Sequence, residues 1–241
     1  MRMPDKSNMA MAVDISGLCF SWRDHHDPIL DIDCLQIKRG ERVFIEGPSG
    51  SGKSTLLSLI AGVIAPQKGD IRVNGHHLNT LSSAARDRFR ADNIGYIYQM
   101  FNLIPYLSVI ENVILPCRFS KSRRDRATNR SDSCDAEAIR LLNQLGMDGK
   151  ALFGKPVTDL SVGQQQRVAA ARALIGTPEI IIADEPTSSL DANHREAFIQ
   201  LLFNECDREK TTLVFVSHDT ALEKLFDKTF RFEDMNAVKA G

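Results

Sequence analysis

The sequence predicts an α/β protein with a mostly parallel sheet, and three observations carry that expectation. Short apolar runs of the kind that form buried strands alternate with helix-forming stretches. One run, Arg42–Glu46, breaks into the glycine-rich stretch 47–52 and then into a helical pattern from Lys53 to about Val63. Another, 180–183, is apolar throughout and ends on a pair of carboxylates.

The remaining elements follow from local chemistry. Residues 71–73, bounded by Gly69-Asp70 and Asn74-Gly75, read as a hairpin strand. Residues 94–98 form another strand candidate, and 212–216 (TLVFV) suit a strand buried on both faces. From about 100 to 160 strand signals are weak. An amphipathic helix is expected over 136–145, with Ile139, Leu142 and Leu145 on one face, so this region reads as a helical insertion. Residues 118–135, dense in Arg, Asp and Ser, read as a solvated mobile linker, with contact to anionic lipid headgroups as the alternative. No internal repeat is visible.

Composition sets bounds. A chain of 241 residues, 43% hydrophobic and 25% charged, can bury one large core. A net charge of −1 supplies no global basic field for nucleic acid. No apolar run approaches the roughly 20 residues of a membrane-spanning helix. The first residues lack the apolar core of a signal peptide, which argues against secretion. Five scattered cysteines (Cys19, Cys34, Cys117, Cys134, Cys206) form no CxxC pair, so neither a disulfide framework nor a zinc site is expected.

Chemistry concentrates in two motifs. Gly47-Pro48-Ser49-Gly50-Ser51-Gly52-Lys53-Ser54-Thr55 fits GxxxxGK[ST] between a strand and a helix. The glycines let successive N–H groups turn inward, and the helix presents its positive end to phosphate. Lys53 would reach the β- and γ-phosphates, and the Ser54 hydroxyl would ligate Mg²⁺. The second motif is Asp184-Glu185 after the apolar run. At the carboxyl end of such a strand, Asp184 would hold Mg²⁺ and Glu185 would polarise the attacking water.

Leu160-Ser-Val-Gly-Gln-Gln-Gln-Arg167, just upstream of that pair, resembles the LSGGQ signature and QxR tail of the ATP-binding-cassette (ABC) family. Other landmarks stand in that family's order: Gln99 of the Q-loop, Ser189-Leu190-Asp191 of the D-loop, and the switch histidine His218. The resemblance covers roughly residues 13–233. It implies a P-loop NTPase core with a mostly parallel sheet, an antiparallel β subdomain and an inserted helical subdomain. Core and β subdomain would span about 12–98 and 166–235, the helical subdomain 99–165, with 1–11 disordered.

The resemblance also implies a division of labour around ATP and Mg²⁺. Gln99 would touch Mg²⁺ or the lytic water, and His218 the γ-phosphate in cis. Ser161, Gly163 and Gln164 would bind the γ-phosphate of ATP held by a second copy of the chain, and Asp191 joins the nucleotide-binding set. Trp22, the one tryptophan, either stacks on adenine or packs in the core. Ser161 is expected to cap the helix that follows it. Val162 stands where the family usually has a glycine, so this residue is expected to keep a helical or extended φ.

The segment 99–113 resembles the lipoprotein-release, macrolide-export and cell-division branch (LolD-, MacB- and FtsE-like) of the family. The branch implies an ATPase on the cytoplasmic face of a membrane, closing head to tail with its copy and driving a separate permease. A coupling helix of that permease would sit near 99–105. Met100, Phe101, Leu103 and Ile104 either line that groove or belong to the core. A regulatory, non-transporting ATPase of the cell-division type is the alternative. Nucleic-acid work finds no support, since neither a coiled-coil insertion nor a second cassette is present.

Overall fold

The computed structural model describes residues 11–22, 27–147, 149–188, 190 and 192–238. In chain order the strands are β1 (Met11–Phe20), β2 (Leu30–Lys38), β3 (Arg42–Glu46), β4 (Lys68–Val73), β5 (His76–His77), β6 (Ile94–Ile97), β7 (Ile180–Asp184), β8 (Thr212–Ser217) and β9 (Lys228–Arg231). The helices are α1 (Lys53–Ile60), α2 (Ser83–Asn93), α3 (Val109–Phe119), α4 (Lys121–Ser131), α5 (Cys134–Gln144), α6 (Lys150–Phe153), α7 (Val162–Leu174), α8 (Ala192–Glu209) and α9 (Phe232–Met235). The expected disorder of 1–11 concerns residues outside those described, except Met11, which opens β1. Contacts divide the chain into two units, 1–90 with 212–241, and 91–211.

The first unit holds two kinds of sheet. An antiparallel sheet has the order β2-β1-β4-β5, with Ile15 opposite both Leu35 and Ile71. Alternation, interrupted once at the exposed pair Asp33-Cys34, sends Leu30, Ile32, Leu35 and Ile37 of β2 inward, each essentially buried. Asn74 and Gly75, both at positive φ, make the two-residue turn between β4 and β5, as the Asn-Gly pair predicts. Gly69 admits no side chain, because a Cβ there would lie 2.3 Å from the Gly17 carbonyl oxygen. In the parallel ladder β3 runs between β8 and β9, pairing Phe44 with Phe215 and with Thr229. Those two phenyl rings stack at 6.1 Å, and Phe226 packs 5.2 and 5.1 Å from them.

The second unit pairs β6 and β7 in parallel, Ile94 to Ile180 and Ile97 to Ala183. Gly95 lets α7 lie close: a Cβ there would sit 2.3 Å from the Ala173 carbonyl oxygen. The expected amphipathic helix is α5, its start capped by Ser133 accepting from the Ala136 N–H. Glu137, 1% exposed, accepts from Arg140 at 2.8 Å, and Arg140 reaches Glu205 of α8 at 3.0 Å. Arg130 of α4 extends this network to Glu209.

One expectation is overturned. The stretch read as a mobile linker contains α4 and the start of α5. Its charges hide the helix, because the buried face of α4 is carried by Arg123 and Ala127 instead of an aliphatic stripe. Arg123 is 2% exposed. Its guanidinium donates to the carbonyls of Ile175 (2.8 and 2.5 Å), Ala173 (2.6 Å) and Ile94 (3.2 Å). Arg126 adds a bond to the Gly176 carbonyl at 2.6 Å. The orphan carbonyls at the end of α7 thus find donors, with positive charge at the negative end of the helix. Burial pulls the Arg123 pKa down to about 10, which leaves the group charged at neutral pH.

Arg123→Met should therefore leave those carbonyls unpaired in a dry interior and lower the unfolding free energy by about 3 kcal/mol. Urea unfolding followed by circular dichroism checks this, and an unchanged midpoint would contradict it.

Candidate active site

The glycine-rich loop lies between β3 and α1 in the first unit. Gly50 (φ 79°) and Gly52 (φ 106°) take left-handed backbone that other residues adopt at a cost. Gly52 caps α1 without a side chain of its own, at the helix end that favours anions. A Cβ on Gly47 would lie 2.8 Å from Cβ of Phe232, and one on Gly52 would lie 3.1 Å from Cγ2 of Ile29. The loop is walled in.

Lys53 is 6% exposed, and its Nζ donates to the Gly47 and Pro48 carbonyls at 2.6 and 2.5 Å. That folds the ammonium into the loop, where an anion would meet it. The Ser51 hydroxyl is buried and finds no hydrogen-bond partner among the described residues, which suits a loop shaped for polar phosphate oxygens. Pro48, Ser49, Gly50 and Ser54 are exposed, and Thr55 is buried. The residues present fit a polyphosphate.

Two neighbours of the loop come from distant sequence. A cleft of about 290 Å³ brings His218, just after β8, together with Glu46, Gly47, Pro48, Arg231, Phe232 and Glu233. On the other side Ile29 touches Gly52, and its N–H donates to the Phe20 carbonyl at 2.8 Å. Asn236 holds this edge through the Ile29 carbonyl (2.9 Å) and the Asp31 N–H (2.8 Å). Trp22 follows Phe20, meets its ring edge-on at 5.3 Å, and is 59% exposed. Of the two readings of Trp22, exposure removes packing in the core and leaves a ring face for a planar ligand.

The acidic pair lies in the second unit. Residues Ile180, Ile181, Ile182 and Ala183 are fully buried, and Asp184 ends the strand half-buried. Tyr96, stacked on Tyr98 at 4.1 Å, is held in its neutral form by burial first, then by Asp184 and Tyr98. Glu185 adopts φ 47°, left-handed for a non-glycine residue. Such a conformation costs about 1–2 kcal/mol, and strain of this kind gathers at functional sites. The turn after it is held from α7, where buried Gln166 donates to the Pro186 carbonyl at 2.8 Å. Asp191 and Ser189 lie outside the described residues.

The signature segment begins at the surface of the same unit. Ser161 caps α7: its hydroxyl accepts from the Gln164 N–H at 3.3 Å, and Gln164 Oε1 accepts from the Ser161 N–H at 2.9 Å. The serine keeps its own hydroxyl proton for an outside acceptor. Val162 is the first helical residue and has no positive φ, as its branched side chain requires. Among the described residues a Cβ on Gly163 would meet Leu190 alone, at 3.9 Å, so none of them crowds that face.

Gln99 sits exposed in the turn after β6. Of the apolar residues beyond it, Phe101 is buried, Met100 is 81% exposed, and Leu103 and Ile104 are half-buried, so they divide between core and surface. Two residues with no sequence signal hold this segment. Buried Asn112 bonds the Ile104 N–H (2.8 Å) and the Ile104 carbonyl (3.1 Å). Arg172 donates to the carbonyls of Phe101 (2.5 Å) and Asn102 (2.7 Å). Only long-range proximity could have revealed them. Among the described residues no cluster of His, Cys, Asp and Glu could hold a metal by itself, and no helix is long and apolar enough to cross a membrane.

Comparisons with known proteins show the family. The sequence pattern of the family described as ABC transporter matches residues 30–188. The chain is 37% identical over 204 residues to the lipoprotein-releasing system ATP-binding protein LolD of Bacteroides fragilis, covering 85% of this chain and 90% of that one. It is 40% identical over 208 residues to the ABC transporter ATP-binding protein YbbA of Escherichia coli, covering 86% and 87%. Among solved structures it resembles the ATP-binding cassette MJ0796, a dimer in a post-hydrolysis state with ADP and Pi (TM-score 0.79, 34% identity, 91% and 93% covered). It also resembles cbiO1 of Clostridium perfringens, part of the transporter complex cbiONQ (TM-score 0.78, 27% identity, 92% and 84% covered). On these matches, which cover most of the chain together with its glycine cradle and signature helix, this chain belongs to the ABC transporter family as an ATP-binding subunit.

Proposed function

We propose that the chain hydrolyses ATP in a site completed by a second copy and uses the cycle to drive a separate membrane permease, in the manner of a lipoprotein-release system. The observation that carries this is the exposed start of α7, with Ser161 as its cap, Val162 helical and the Gly163 face uncrowded by any described residue. Such a helix end attracts anions, and no anionic group of its own first turn occupies it. The dimeric MJ0796 cassette and the cbiONQ complex support a paired ATPase working with other subunits. The LolD relatives support the branch.

In this reading the whole chain works as one ATPase domain. Its loop from Gly47 to Thr55 grips the phosphates, with Lys53 exchanging its carbonyl bonds for phosphate oxygens. Ser54, Asp184 and Gln99 would hold Mg²⁺, which neutralises charge on the phosphates when bound. Neutral Tyr96 beside Asp184 adds no competing negative charge. Glu185 polarises the water that attacks the γ-phosphate, and His218 steadies that phosphate from the β8 end. Trp22 stacks on adenine. Ser161, Gly163 and Gln164 of one copy, with Asp191, address the nucleotide of the other. Exposed Met100 and its neighbours would meet the permease at the cytoplasmic face of the membrane.

Removing the base while keeping its shape separates closure from hydrolysis. Glu185→Gln should turn over ATP at least about 100-fold more slowly and elute as a dimer only with Mg-ATP. A monomer at saturating nucleotide would refute the shared site. Ser161→Ala should cost about 1 kcal/mol of stability through the lost cap. It should also weaken ATP-dependent dimerisation in the Glu185→Gln background, whereas a purely structural serine would leave dimerisation untouched. Val162→Gly should change turnover little, and a large change would mean that the valine tunes the contact between copies.

A further inference from the structure

Arg172 occupies the last turn of α7, roughly 16 Å along the helix from the Ser161 cap. It is 9% exposed, and its guanidinium fork takes two successive carbonyls, those of Phe101 and Asn102. Both residues are left-handed, at φ 58° and 47°, and a bulky phenylalanine does not take that conformation unaided. The strained pair turns its carbonyls toward α7, where Arg172 meets them. On the far side Asn112 bonds the carbonyls of Ile104 (3.1 Å) and Leu107 (3.3 Å). On the near side the turn begins at β6, and the Phe101 N–H closes it on the Tyr98 carbonyl at 2.9 Å. Gln99 and Met100 are what remains between these anchors.

The geometry points to Arg172 as the positioning residue for Gln99, a clamp that makes the glutamine move with the signature helix. A shift of α7 on meeting the partner's nucleotide is then delivered to Gln99 in the same subunit through one guanidinium. This rests on the role proposed for Gln99 above. Lysine cannot replace the clamp, because a single ammonium on a flexible stem lacks the planar fork.

A double-mutant cycle on the full chain tests it, measuring steady-state ATP hydrolysis for Gln99→Ala, Arg172→Lys and the double variant. Gln99→Ala and Arg172→Lys should each lower kcat about ten- to hundred-fold with little change in KM for ATP. The double variant should be no slower than Gln99→Ala alone. If Gln99→Ala is slow but Arg172→Lys is not, or if the two losses multiply, the clamp is overturned while the role of Gln99 stands. A Gln99→Ala variant with unaltered kcat overturns the role of Gln99, and the clamp with it. Should Arg172→Lys fail to fold, Arg172→Gln takes its place in the cycle; insolubility of both would make Arg172 a fold-holding group and overturn the proposal.

Discussion

Guanidinium groups satisfying buried backbone carbonyls hold the helical unit in its functional shape. Arg123 and Arg126 serve the end of α7, and Arg172 serves the segment after Gln99. A carbonyl buried without a donor costs about 1–3 kcal/mol, so each arginine removes a penalty that close packing would otherwise impose. The same bonds fix α7 at its carboxyl end and leave its amino end free. That asymmetry suits a helix that must be rigid where it meets its own chain and accessible where it meets an anion.

The loop around Lys53 solves the opposite problem. Here glycine backbone curls into a cradle, and its walls leave no room for a side chain at Gly47 or Gly52. Phe232 crowds Gly47 and Ile29 crowds Gly52, while Asn236 locks the bend before β2 that carries Ile29. Lys53 meanwhile satisfies loop carbonyls, which keeps the cradle shaped before nucleotide arrives. Preorganisation of this kind spends folding energy to reduce the cost of ordering on binding.

Left-handed backbone outside glycine occurs in ordinary turns (Asn74, Asp132, Thr177, Lys210) and also at three residues of the proposed site. Glu185, Phe101 and Asn102 all take left-handed backbone without being glycine. Each is held from α7: Gln166 bonds the carbonyl of Pro186, next to Glu185, and Arg172 bonds the other two carbonyls. One helix therefore carries the signature serine and restrains both segments that follow β6 and β7.

Much of this molecule was legible before any coordinates. Phosphate chemistry demands glycines, a lysine and a hydroxyl at fixed spacing. A capped helix demands Ser161 and Gln164 three residues apart. The buried strands β3, β7 and β8 are continuous apolar runs. These are local constraints, written in consecutive residues. Strands β1 and β2 carry no strong local mark, because their character comes from pairing with one another. Helix α4 was read as a linker, since a helix whose buried face is an arginine has no apolar period to detect. The contacts of Arg172, Asn112 and Gln166 were equally hidden, even though Asn112 and Gln166 sit in segments that mark the family: each acts on a backbone carbonyl outside its own helix, and a carbonyl has no side-chain identity to read. Residue spacing decided what the protein binds. Only tertiary contact decided how the loops that do the binding are held, because backbone polar groups choose partners by proximity in space.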